Sequence, residues 1–436
     1  MRTKTLWIGA VFAMCGSALY AQDLAGDWQG ALKAGTQELR LIVHIEKGDG
    51  GTWKAALASI DQSQDRGATM PADSVTLQGS DVKFTVAALR GSYEGKIAAD
   101  GNSMAGTWTQ GRPLPLELKR ATPETAWKDP SPHSAQFVNV DQNVKLEVLD
   151  WGGPTSGQGR TMVLVPGLGN TAHVFDQFAP KLTAQYHVYG ITRRGFGASS
   201  APVSGYSADR LGDDVLAVLD ALKINKPVLA GHSLGGEELS SVGSRHPEKV
   251  AGLIYLDAGY SYAFYDESRG DLNIDLMDLE KKLALLHAGK APADSRPLIQ
   301  ELLETVLPRF ERDLRERQAT LKATPPAMLA AQASVQVPAV TQAIVMGVQK
   351  YTNIPVPILA IYAVPHDMGP AAGTDAAARA AQEARDEETT GAQAKAFESG
   401  LPSARVVRIP HANHYVFRSN EADVLREMSA FVGGLK

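Results

Sequence analysis

The chain has 436 residues, a formal net charge of -5 and 44% hydrophobic residues. That length exceeds what a single hydrophobic core serves and provides for two or three domains. The acidic balance offers no basic field for nucleic acid, and a single cysteine, Cys15, excludes a disulfide framework.

Residues 1–21 read as an export signal. Arg2 and Lys4 give a positive start, Leu6 to Cys15 an apolar run, and "GSALYA" a small-residue exit, with cleavage expected after Ala21. The run is too short to cross a bilayer, which takes about 20 residues. Removal of the signal would leave no cysteine for a thiol nucleophile or a thiolate metal site. The protein is therefore expected to be exported, to the periplasm or beyond.

Residues 22–120 alternate with the two-residue rhythm of strands. Leu39, Leu41, Val43 and Ile45 take one face, Val82, Phe84 and Val86 repeat the pattern, and so do Leu114, Leu116 and Leu118. Turn signals separate the runs at "KGDGG", "QGSD" and "ADGN". "LAGDWQG" (24–30) is echoed by "MAGTWTQG" (104–111), so strands carrying Trp28 and Trp108 are expected to sit alike at the start and end of a small antiparallel barrel or sandwich. No catalytic cluster is visible here, and His44 reads as a solvent-face residue.

Residues 121–134 include "TPETAWKDPSPHS", which is proline-rich and aperiodic and reads as a linker. Beyond it, over 135–436, strands alternate with helical stretches, which predicts a mostly parallel sheet. Eight candidate strands lie at 136–140, 144–152, 161–167, 186–192, 227–231, 250–258, 357–364 and 404–410. Leu211, Val215, Leu216, Leu219 and Leu222 mark an amphipathic helix within 207–224. Residues 260–351 interrupt the strand series with helices. Leu298, Leu302, Val306, Phe310 and Leu314 form one stripe there, and Pro308 is expected to kink or split the helix that bears them. Open α/β sheets bind ligands at the C-terminal ends of their strands, so this insertion is expected to form a cap over that edge.

Within the sheet region, "PVLAGHSLGG" (227–236) runs from an apolar strand into a glycine-crowded turn. Ser233 stands between Gly231 and Gly235 in the spacing G-x-S-x-G, which lifts a hydroxyl above a sheet edge beside the free N–H groups of the next helix. A serine needs a base, usually a histidine held by a carboxylate. His246 sits at a helix end. His411 and His414 lie in "RIPHANHYVF" (408–417), after the last strand, where a histidine can reach a serine at mid-sheet. Asp367 in "AIYAVPHDMG" and Asp257 in "LIYLDAGY" each follow a strand and offer the carboxylate. His366 reads as a rim residue. No metal-ligand spacing accompanies these residues, so no metal or other cofactor is expected.

These motifs together resemble the α/β-hydrolase superfamily over residues about 135–436. "LVPGLGNTAHVFDQFAPKL" (164–182) is similar to its oxyanion-hole segment, "GITRRGFGAS" (190–199) to the loop before its next helix, "GHSLGG" to its nucleophile elbow and "IPHANHYVF" to its terminal histidine segment. Pro166-Gly167 replaces the common His-Gly pair of the first segment. The resemblance implies Ser233 as nucleophile, His414 as base and backbone N–H groups of Leu168 and Leu234 as the oxyanion hole. It implies Asp367 as the acid, at the usual position, with Asp257 at the alternative one. His232 is expected to point away from Ser233. Serine at the elbow, rather than aspartate, implies an acyl-serine intermediate, which suits carboxylic esters, thioesters, lactones, amides or some C–C bonds, and a carboxylic ester hydrolase is the reading favoured. A lactonase, acyltransferase or C–C hydrolase on the same residues, or a non-catalytic ligand-binding protein, remain as alternatives. The expected partner is a small-molecule ester, with no membrane span once the signal is removed.

Overall fold

The computed structural model describes residues 23–34, 37–59, 70–122, 133–154, 159–287, 289, 292–324, 326, 329, 337–367, 369 and 376–435. The expected export signal and most of the linker lie outside these residues.

The N-terminal region forms a nine-stranded sheet from β1 (Gly26–Ala34), β2 (Gln37–Lys47), β3 (Trp53–Ser59), β4 (Met70–Pro71), β5 (Ser74–Gln78), β6 (Asp81–Val86), β7 (Gly91–Ile97), β8 (Ser103–Gln110) and β9 (Arg112–Arg120). Its order is β4-β3-β2-β1-β9-β8-β7-β6-β5. The alternation seen in the sequence works as expected: Leu41, Val43, Ile45, Val82, Phe84, Val86, Leu116 and Leu118 are buried. Trp28 on β1 and Trp108 on β8 are buried too, and their strands flank β9 on its two sides. The Arg120 guanidinium lies 4.3 Å from the Trp28 ring centroid. His44 is exposed and pairs with Asp27.

The second sheet has eight strands: β10 (Ser134–Asp141), β11 (Val144–Gly152), β12 (Arg160–Val165), β13 (Tyr186–Ile191), β14 (Val228–His232), β15 (Gly252–Leu256), β16 (Ile358–Ala363) and β17 (Ala404–Ile409). Their order is β10-β11-β13-β12-β14-β15-β16-β17. β10 and β11 form an opening hairpin and β11 pairs antiparallel with β13. Every later pairing is parallel. β12, β14, β15 and β16 are almost wholly apolar and buried, as strands covered on both faces must be. One face packs on α1 (Ala208–Ala221) and α2 (Gly235–Arg245), the other on Phe175, Phe178, Phe417 and Met428. Ser207 caps α1 by accepting from the Arg210 N–H.

The insertion between β15 and β16 is helical. A π turn at Leu302–Val306 joins Arg296–Glu301 to Leu307–Ala323, and Pro308 stands in the first turn of that last segment. The missing proline N–H is thus absorbed by widening one turn of a continuous helix. Leu302 and Val306 bury against Leu279 of the neighbouring helix Leu272–Ala284, whereas Leu314 is exposed. The segment Ala339–Val345 packs Ile344 onto Leu234 and Phe196, which sets part of the insertion above the end of β14.

Candidate active site

Ser233 opens the two-residue turn, Ser233–Leu234, between β14 and α2, with φ at 49°, a left-handed conformation costly for a side-chain-bearing residue. The flanking glycines explain how the turn closes. A Cβ on Gly231 would stand 2.7 Å from the Gly235 carbonyl oxygen, and one on Gly235 would stand 2.6 Å from that of Val165. A Cβ on Gly167 would meet the Ser233 Cβ at 2.9 Å, so the Pro166–Leu168 segment runs directly alongside the serine. Among the described residues, neither the Leu168 nor the Leu234 N–H donates to a backbone carbonyl.

That segment is held from below. Arg193 donates to the Pro166 carbonyl at 2.8 Å and the Gly167 carbonyl at 3.3 Å. Its other face forms a bidentate pair with Glu238 of α2 at 2.5 and 2.9 Å. Both partners are fully enclosed, so each neutralises a charge that burial would otherwise make costly. Beside them Glu237 is also buried, and among the described residues its carboxyl oxygens find no hydrogen-bond partner. Burial, with the neighbouring Glu238 adding to it, pushes its carboxyl well above the usual range. Neither acid was legible as part of the site; "GGEELS" reads only as the polar start of a helix.

Asp257 immediately follows β15, fully buried, with φ at 49°. Its Oδ1 accepts from the Ala363 N–H at 3.0 Å. Its Oδ2 lies 2.6 Å from His414 Nδ1 and 2.7 Å from His366 Nε2. Burial opposes the charge, but the hydrogen bonds from His366 and His414 outweigh it and hold the carboxyl at about 2. His414, on the loop after β17, is partly exposed. His411 in the same loop is exposed, and its backbone N–H donates to Pro365.

The expectation for the acid is corrected by this geometry: His414 meets Asp257, not Asp367. β16 stops at Ala363, and the residues that follow turn His366 inward and Asp367 outward. The exposed Asp367 carboxylate accepts from the Gly369 N–H at 2.8 Å, a local turn contact, while its own N–H donates to Ala412. His366, expected at the rim, instead bridges Asp257 and Asp386, whose Oδ2 lies 2.9 Å from His366 Nδ1.

Aromatic side chains complete the surroundings. Tyr262 sits against Ser233; burial and the Asp257 charge push its phenol well up, and Ser233 offsets part of this. His232 donates from Nε2 to the His414 carbonyl at 3.1 Å, and its ring lies tilted against Tyr415 with centroids 4.6 Å apart. Burial, then the proximity of His414, push its imidazole down to about 3, so it is a neutral structural residue. Tyr415 in turn donates to Asn170 Oδ1 at 3.1 Å, tying the His414 loop to the segment that follows Leu168.

Among the described residues, two groups of His and Asp gather three donor atoms within 4.8 Å. In Asp257, His366 and His414 both rings aim at one carboxylate oxygen, the arrangement of two hydrogen bonds to a shared acceptor. His133, His173 and Asp176 form the second group, with Asp176 facing His133 at 3.1 Å and His173 at 3.0 Å; these residues have the chemistry to hold a cation.

A mostly parallel sheet bearing a strained serine between glycines, and a histidine–carboxylate pair after later strands, defines an α/β hydrolase. Residues 162–427 match the sequence profile of the Alpha/beta hydrolase family, and the chain belongs to that family. It is 28% identical over 165 residues to the AB hydrolase superfamily protein YisY of Bacillus subtilis, which is 35% of this chain and 59% of that protein. It is 35% identical over 102 residues to 3-oxoadipate enol-lactonase 2 of Acinetobacter baylyi, which is 23% of this chain and 38% of that protein. The chain thus spans less than two thirds of the length of these relatives. A solved hydrolase from Pseudomonas aeruginosa PA01 aligns at 20% identity with a TM-score of 0.43, covering 69% of this chain and 99% of that one. Among the described residues, no helix is long and apolar enough to cross a membrane.

Proposed function

We propose that this protein is an exported serine hydrolase that cleaves a carboxylic ester through an acyl-Ser233 intermediate, with His414 as base and Asp257 as its carboxylate. The observation that carries the reading is the 2.6 Å contact between His414 Nδ1 and a buried, ionised Asp257, on the same sheet edge as the strained Ser233. With Nδ1–H committed to Asp257, the imidazole presents Nε2 as a proton acceptor. Nε2 takes the Ser233 hydroxyl proton while Oγ bonds to the ester carbonyl carbon. The negative charge on the carbonyl oxygen falls to the N–H groups of Leu168 and Leu234. As the carbon–oxygen bond to the alcohol breaks, His414 returns the proton to the leaving alkoxide. Water then repeats the sequence on the acyl-serine and releases the acid.

Substrate choice belongs to the inserted helices and to Tyr262 beside the serine. The relative named an enol-lactonase gives a reason to test lactones alongside linear esters. Hydrolysis of p-nitrophenyl esters, of matched amides and of lactones by wild type and Ser233→Ala is the test. Ester turnover that vanishes in Ser233→Ala supports the reading; equal turnover by both proteins would refute it.

A further inference from the structure

His366 stands where the proposed triad has no formal need of it. Its Nε2 lies 2.7 Å from Asp257 Oδ2 and its Nδ1 2.9 Å from Asp386 Oδ2. Ionised carboxylates only accept hydrogen bonds, so a ring wedged between two of them satisfies both contacts only when both nitrogens carry protons. The ring is half-buried, and its surroundings come from four elements. Asp257 reaches it from the end of β15, and Tyr260, 3.5 Å away through its phenol, from the segment beyond. Asp386 belongs to the long helix Ala376–Gly400 and is itself braced by the Thr390 hydroxyl at 3.0 Å and the His366 backbone N–H at 2.7 Å. His414 lies on the loop after β17, its ring centroid 6.2 Å from that of His366.

We propose that His366 is a positioning residue: a cation, held by Asp386, that fixes the Asp257 carboxylate toward His414 and lowers the pH down to which His414 acts as a base. This deepens the serine hydrolase reading and rests on it. The physical reason is charge balance. An unopposed buried Asp257 would favour a proton on His414. The His366 cation on the same oxygen cancels part of that pull, so the base stays free of its proton at lower pH. Burial opposes the His366 cation, but Asp257 and Asp386 prevail and raise it to about 9, which keeps the charge in place at neutral pH.

The test pairs a titration with a reactivity profile on the full chain. In protein labelled with 15N-histidine, the His366 ring signals, identified by their loss in His366→Gln, are expected to report two protonated nitrogens at pH 7. Ser233 labelling by a fluorophosphonate is then followed from pH 4.5 to 9. In His366→Gln, which keeps a donor for Asp257 but not the charge, the acid limb of the labelling rate is expected to move up by about one pH unit. Asp386→Asn, which keeps His366 but loosens its proton, should move it the same way by less. A reactive Ser233 with the same acid limb in all three proteins would overturn this inference alone, because a purely structural role is rescued by Gln. A neutral His366 ring at pH 7 would overturn it as well. A Ser233 inert at every pH, with His366 still doubly protonated, would instead overturn the hydrolase reading and take this inference with it.

Discussion

Asp257 draws its role from where its strand stops. β15 ends at Leu256, and the left-handed turn at Asp257 points a fully buried carboxylate toward the loop that follows β17. Asp257→Asn is expected to fold and to lose at least about 1000-fold in ester turnover, since the amide no longer fixes or charges the base correctly. Asp367→Asn should cost less than about tenfold. Steady-state kinetics on the two variants checks both. The sequence offered two carboxylates, Asp257 and Asp367, and ranked them by the fold's commoner strand, whereas the structure sets Asp257 against His414. What it could not convey was rotation: four residues beyond Ala363, one step of backbone decides whether His366 or Asp367 faces the interior. His414 was legible over His411 only through the motif around it, because both lie within reach of the sheet edge. Glu237 links stability to pH. Its carboxyl is raised in the fold, so the folded chain holds that proton to higher pH than the unfolded chain does. Stability is therefore expected to decline as pH rises above the ordinary glutamate range, from about 4.3 upward. Glu237→Gln should remove that decline and be the more stable protein at pH 8, with little difference at pH 4. Urea denaturation at the two pH values measures it; a wild type as stable as the variant at pH 8 would contradict the assignment.

The elbow is where elements rather than residues set the chemistry. β14 and α2 meet at an angle that only glycine permits, because the Gly235 position lies against the Val165 carbonyl of the neighbouring β12. Gly235→Ala is expected to destabilise the fold by about 1–3 kcal/mol through overpacking and to lower turnover by misplacing Ser233. Thermal unfolding and kinetics together check this, and a variant with wild-type values in both would show that the contact relaxes freely. The elements themselves were readable in advance. All eight strands of the second sheet appear within a few residues of their expected positions, and the buried parallel strands β12, β14, β15 and β16 write the clearest apolar runs between turn signals. The π turn before Pro308 was not readable: the sequence shows that a proline must disturb the helix, and the structure takes this up as a widened turn whose Leu302 and Val306 pack against Leu279.

At the scale of the whole molecule, every residue of the proposed triad lies beyond the proline-rich stretch, on one eight-stranded sheet and its loops. The N-terminal sheet contributes buried aromatics such as Trp28, Tyr93 and Trp108, and its histidine, His44, is exposed beside Asp27. A fragment of residues 130–436 is accordingly expected to keep ester hydrolysis, and residues 22–120 alone to show none. A folded, inactive 130–436 fragment would show that the N-terminal sheet helps to build the pocket. In the proposed reaction Ser233 is a nucleophile activated by His414. Intact-mass spectrometry after brief exposure to a fluorophosphonate, followed by peptide mapping, tests it most directly. The expected result is one adduct per chain on Ser233, lost in Ser233→Ala and slowed by at least about 1000-fold in His414→Ala. Absence of the adduct from folded wild-type protein, or labelling of His414→Ala at the wild-type rate, would contradict it.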